Sequence, residues 1–83
     1  DVVAINANFN GANLTLADLR YSAFSLTDLN RTVLKYADLT GADFSNASMN
    51  STIFGGAIWD DTLCPDSTNS NANNNTCADN LRR

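Results

Sequence analysis

Apolar residues recur every fifth position along most of this chain, a spacing that neither a helix nor a strand can use. Taking the large residue of each five as its centre, the centres are Phe9, Leu14, Leu19, Phe24, Leu29, Leu34, Leu39, Phe44, Met49, Phe54, Trp59 and Cys64, without a gap. Two residues before each centre lies a small one: Ala7, Ala12, Ala17, Ser22, Thr27, Thr32, Ala37, Ala42, Ala47, Thr52, Ala57 and Thr62. A double register held this long is a true internal repeat.

An amphipathic helix needs apolar residues at i, i+3, i+4 and i+7, and a strand needs alternation, so a spacing of five drifts off either face. A regular bend removes the conflict. In an extended segment residues two apart point the same way, so the small residue and the centre both face inward while the residue between them faces out. Five is odd, so each unit slips by one residue, and the two residues after the centre absorb the slip by turning a corner. Gly11, Gly41, Gly55 and Gly56 fall at those positions, as turn-permissive residues should. Corners of one hand wind the chain into a coil, packed inside and solvated outside.

The units A-N-L-T-L, A-D-L-R-Y, A-D-L-T-G and A-D-F-S-N resemble the pentapeptide-repeat family, whose consensus is A-(D/N)-L-x-x. The resemblance implies an all-β fold, a right-handed four-sided (quadrilateral) β-helix solenoid with four units per turn. It covers roughly residues 7–66 and weakens where the polar position before the centre becomes Ile53, Ile58 and Leu63. Four units per turn predict correlations at twenty residues. Asn10, Asn30 and Asn50 then form one outward column open to amide ladders, and Phe24 lies beneath Phe44.

Twelve units make about three coils, roughly 15 Å of stack at the usual strand spacing. That is a small core for an 83-residue chain, and a core of this size calls for a staple or caps. The chain lacks Glu, Gln and His and is rich in Asn, Thr and Ser, which is poor material for long helices. Its organisation reads as a repeat body over residues 1–66 and a polar C-terminal loop and cap over residues 67–83.

Cys64 is the last inward centre, and Cys77 follows a run with no apolar residue but Ala72. An even cysteine count beside a polar loop predicts a Cys64–Cys77 disulfide, closing a loop worth about 3 kcal/mol in the chain-entropy model. With no His, a zinc site lacks its remaining soft ligands. The expected disulfide implies an oxidising compartment: periplasm, thylakoid lumen or cell exterior. The chain begins at Asp1 without Met or a signal segment, as expected of a mature or expressed fragment. No stretch approaches the length of a membrane span.

Catalysis finds no footing. G-x-S-x-G, H-E-x-x-H and a phosphate-cradling glycine loop are all missing, and Asp60-Asp61 reads as a solvated corner rather than an acid/base pair. Oxygen ligands alternate along Asp66, Ser67, Asn69, Asn71 and Asn73, but one charge and no closing Glu make a turn-rich polar loop the better reading than a calcium site. The expectation is a non-enzymatic module without cofactor or metal.

A net charge of −4 argues against a nucleic-acid binder, which would carry a basic stripe. Some members of the resembled family mimic DNA and inhibit type II topoisomerases, which makes that the alternative function. Of the outward acids Asp18, Asp28, Asp38 and Asp43, however, only Asp18 and Asp38 would stack, and the greater length and dimerising helix of those inhibitors are absent. The other surface signal is apolar. Leu16 beneath Tyr36 and Val33 beneath Ile53, with Tyr21 and Leu26 near, form the expected interaction patch for an unknown protein partner, on a module expected to be monomeric. Sequons such as Asn13-Leu14-Thr15 and Asn30-Arg31-Thr32 matter only in a glycosylating host.

Overall fold

The computed structural model describes residues 1–78 and Leu81. The chain coils as the period demands. Each turn of chain meets the next through parallel bridges at an offset of twenty residues, from Val3 with Ala23 to Asp43 with Leu63. Among the described residues these are isolated bridges rather than a sheet of extended strands, and the one helical element is the 3-10 helix Ser70–Ala72. The reason is local: each unit stays extended for about three residues before its corner, so only its middle residue qualifies as a bridge.

Three hydrogen bonds per unit tie neighbouring turns. In the unit around Leu39, Asp38 N–H donates back to Ala17 O (3.0 Å), Leu39 N–H forward to Ile58 O (2.9 Å) and Gly41 N–H forward to Asp60 O (2.8 Å). The corner is closed by Ala42 N–H donating to Leu39 O at 3.0 Å. The second corner residue lies at positive φ throughout the repeat, including Gly11 (76°), Gly41 (68°) and Gly56 (74°) but also Leu16 (63°), Tyr21 (57°), Leu26 (60°) and Tyr36 (58°). Positive φ at only the second central residue is the sign pattern of a type II turn.

The consensus Asp or Asn before each centre has a structural task here. Its Oδ1 accepts from the first corner N–H, as in Asn8 with Asn10 (2.9 Å), Asp28 with Asn30 (3.0 Å) and Asp43 with Ser45 (2.9 Å). Short polar side chains favour corners for this reason.

The centres Leu19, Phe24, Leu29, Leu34, Leu39, Phe44, Met49, Trp59 and Cys64 are buried, while Phe9, Leu14 and Phe54 are partly buried against them. Phe24 and Phe44 stack at 5.3 Å with an interplanar angle of 6°, and Trp59 meets Phe44 edge-on at 6.1 Å. Ala4, one unit upstream of the first centre named from the sequence, is also buried; it keeps the phase but is too small to announce itself. The inward small column is more than a spacer. Thr27, Thr32, Thr52 and Thr62 donate their hydroxyls to the carbonyls of Ala4, Phe9, Leu29 and Leu39, each 23 residues back in the preceding turn. No described buried side-chain polar atom lacks a partner, as a core this narrow requires.

Coiling stops at Pro65. Ser67 N–H donates to Cys64 O (2.8 Å) and Cys64 N–H to Thr68 O (2.7 Å), with Ser67 rather than Asp66 at positive φ. This is a three-residue hairpin, a tight turn followed by one left-handed residue, and it lays Asn69 antiparallel to Leu63. The Cys64–Cys77 disulfide pins the segment back. Pro65, Ser70 and both cysteines are buried, and Leu81 packs on the core. Four residues of the expected cap, Asp79, Asn80, Arg82 and Arg83, lie outside the described residues.

Candidate interaction surface

Exposed large apolar residues stand at several places on the wall, Val3, Ile5, Tyr21 and Leu26 among them, and four others adjoin around one corner. Val33 and Ile53 bridge on the side before that corner. Leu16 and Tyr36 stand twenty residues apart at the corner itself, and Ile58 follows on the next side, bridged to Asp38. Exposure is 73% at Leu16, 61% at Tyr36, 49% at Ile53 and 52% at Ile58, so large apolar surface faces water there. Val33 is half-buried and contributes an edge rather than a face.

Two tyrosines owe their position to glycines one turn later. A Cβ on Gly41 would overlap the ring of Tyr21, and one on Gly56 the ring of Tyr36. Each ring therefore lies flat along its corner, over a backbone that only glycine leaves bare. For Tyr36 the result is an aromatic surface between Ile53 and Ile58. Sequence reasoning missed Ile58 and both contacts, although Tyr21/Gly41 and Tyr36/Gly56 share the twenty-residue spacing. Tyr21 (67% exposed) and Leu26 (58%) stand at later corners and are not brought into this group.

The acidic residues do not converge. Asp18 and Asp38 share one column, Asp28 pairs with Asn8 and Ser48, and Asp43 with Ala23 and Leu63. Asp18 is further neutralised by Arg20, which approaches its two oxygens at 2.8 Å each. That side-chain hydrogen bond, helped by one from the Arg20 backbone, lowers the exposed Asp18 carboxyl to about 2 and raises Arg20. The Asn10, Asn30 and Asn50 column forms, but not as an amide ladder. Asn30 Oδ1 accepts from Asn50 N–H (2.7 Å) and the Ser48 hydroxyl (2.9 Å), and Asn10 Oδ1 from Arg31 (2.7 Å).

The C-terminal segment spends its oxygens on its own turns and on the Asp61 corner beneath it. Asp66 Oδ1 accepts from Thr68, Asn69 Oδ1 from Asn71 N–H, and Asn71 Oδ1 from Asp61 N–H, which leaves a turn-rich loop rather than a converging ligand set. Among the described residues no cluster of acids or cysteines is arranged to hold a metal ion. No described helix is long and apolar enough to cross a membrane.

The family model for pentapeptide repeats matches residues 1–35 and 27–58, in eight copies. Among solved structures, the chain is similar to HetL, a pentapeptide repeat protein involved in heterocyst differentiation regulation from the cyanobacterium Nostoc sp. strain PCC 7120, at 24% identity and a TM-score of 0.50 over 76% of this chain. A pentapeptide repeat protein of the Arabidopsis thaliana thylakoid lumen aligns at 24% identity and a TM-score of 0.43 over 75% of this chain. The chain spans 32% and 51% of those two proteins' lengths. At this identity the first likeness shows the fold alone. A comparison with curated protein sequences finds no match.

Proposed function

Because the chain belongs to the pentapeptide-repeat family, we propose that it is a non-catalytic module that works by surface contact with a protein partner through the corner formed by Leu16, Tyr36, Ile53 and Ile58. The observation that carries this reading is the exposure of four large apolar side chains on two adjoining sides of one corner. Scattered apolar residues, such as Ile5 and Leu26 here, are ordinary on a surface, whereas a group that adjoins around one corner marks a contact. The body, residues 1–66, is a right-handed four-sided β-helix of about three coils, a reading supported by the twenty-residue register of five-residue units. Residues 67–83 are its C-terminal cap. The Cys64–Cys77 bridge supports residence in an oxidising compartment: periplasm, thylakoid lumen or cell exterior.

Inhibition of a type II topoisomerase by charge mimicry is the competing reading. The acids' separate columns and the Asp18–Arg20 pair weigh against it, and a supercoiling assay separates the two. The contact reading is tested by placing a photocrosslinking residue at Leu16, at Ile53 and, at the opposite corner, at the exposed Asn46 in extract from the source cells. The same discrete adduct from Leu16 and Ile53, absent from Asn46 and lost with Tyr36→Asp, is expected. Equal labelling from all three positions, or none, refutes it.

A further inference from the structure

The two tyrosine rings are held flat in the same way but look out on different surroundings. Tyr36 lies over Gly56 and Tyr21 over Gly41, and both are exposed. Tyr36 has Ile53 three residues before its glycine and Ile58 two after. The same register places Asp38 and Asp43 on either side of the Gly41 corner. Gly41 N–H donates to Asp60 O, which sets the Asp60-Asp61 corner one turn further on. The acids stack in no single column, yet four of them border this ring, as many negative charges as the net −4 of the whole chain.

The fold does not need charge at these positions. Asp38 Oδ1 accepts from the Thr40 N–H (3.1 Å) and hydroxyl (2.6 Å), and Asp43 Oδ1 from the Ser45 N–H (2.9 Å) and hydroxyl (2.7 Å). Asn8 and Asn13 close their corners with the same atom and no charge. Among the described residues no hydrogen bond reaches the second carboxylate oxygen of Asp38 or Asp43. Arg20, next to Tyr21 in the chain, is committed to both oxygens of Asp18, so the corner supplies no free cation of its own. Acids alone would mark only a solvated corner. Here they rim an aromatic face whose other side is sealed on the Gly41 backbone, and an open ring face attracts a cation.

We propose that the Tyr21 face is a docking surface for an arginine-bearing segment of a partner protein, a contact distinct from the apolar corner. A guanidinium fits this site better than an ammonium. It is planar and weakly hydrated, so it lies flat on a ring while the N–H groups along its edge reach a carboxylate. The spare oxygens of Asp38 and Asp43 are those acceptors. Beside the ring, the half-buried Ala23 and exposed Leu26 offer apolar surface to the rest of the segment. The contact is local to one ring and needs no run of acids along the coil, which separates it from charge mimicry of DNA. Its exposed charges make it weak and sensitive to salt.

The repeat supplies its own conservative variants. Leu16 and Leu26 hold the corner position of Tyr21 at positive φ, so Tyr21→Leu removes the aromatic face and suits the backbone, and asparagine at 38 or 43 keeps the Oδ1 acceptor. Isotope-labelled protein titrated with acetylated tetra-arginine amide, and separately with tetra-lysine, reads binding through backbone amide shifts. Shifts centred on Tyr21, Asp38, Gly41 and Asp43 are expected, with a Kd below about 1 mM that weakens from about 50 mM to about 150 mM salt. Tetra-arginine should bind about threefold tighter than tetra-lysine, and Tyr21→Leu should erase that preference. Asp38→Asn combined with Asp43→Asn should weaken both peptides about fivefold. Asp28→Asn, which removes a charge half a turn from Asp38, should leave binding unaltered, and every variant should keep the circular dichroism spectrum of the parent. No binding at about 1 mM, shifts spread over all the acidic sides, lysine bound as tightly as arginine, or Tyr21→Leu binding like the parent overturns the proposal.

Discussion

Replacing Ala37 by leucine and, separately, by threonine tests whether volume rather than polarity fixes the inward small column. Ala37 is fully buried in a column with Ala17 and Ala57. Its surroundings cannot move aside. Ala37 N–H closes a corner on Leu34 O (3.1 Å), Ala37 O accepts from Ile58 N–H of the next turn (2.9 Å), and neighbouring Asp38 N–H is held by Ala17 O of the previous one (3.0 Å). Three extra carbons therefore compress side chains between two fixed turns, and Ala37→Leu should cost about 1–3 kcal/mol. Threonine adds less volume and brings a hydroxyl. By the register in which Thr27, Thr32, Thr52 and Thr62 each reach the carbonyl 23 residues back, the hydroxyl introduced by Ala37→Thr would donate to Leu14 O. A buried hydrogen bond of that kind is worth about 1 kcal/mol, so this substitution should be neutral to mildly stabilising. Urea melts followed by circular dichroism resolve the pair: a loss of about 2 kcal/mol moves the midpoint by about 1–2 M for a small domain. A leucine variant as stable as the parent, or a threonine variant worse than leucine, refutes the argument.

Reducing the Cys64–Cys77 bond should remove about 3 kcal/mol, loosening residues 62–78 before the first turns. Hydrogen exchange would show protection lost there first, and Trp59 emission should shift early; uniform loss along the chain contradicts a local cap. Leu26→Asn should stabilise by about 0.5–1 kcal/mol despite removing an apolar side chain, because Leu26 is exposed and holds φ at 60°, a conformation asparagine adopts more readily; thermal melts decide. The Asp18 carboxyl, followed by NMR, should titrate near 2 and return toward the ordinary aspartate range in Arg20→Met. Since the folded value is the depressed one, any stability from the pair is present above the unfolded aspartate pKa and fades as pH falls toward 2.

By itself the sequence determined which side chains face inward, where the corners fall and which two cysteines can meet. These are local properties: the five-residue period assigns every position to the inside, the wall or a corner before any contact forms. The tertiary structure decided what rests on what. Tyr36 lies over Gly56, Asn30 serves the backbone of Asn50 rather than its amide, and Ile58 joins Ile53 around a corner, because each depends on a turn that closes twenty residues later. The reversal after Pro65 was equally hidden. Its residues are as polar as a loose loop, and only pairing with Leu63, the bond from Cys77 and the seat of Ser70 against Thr62 make it a lid.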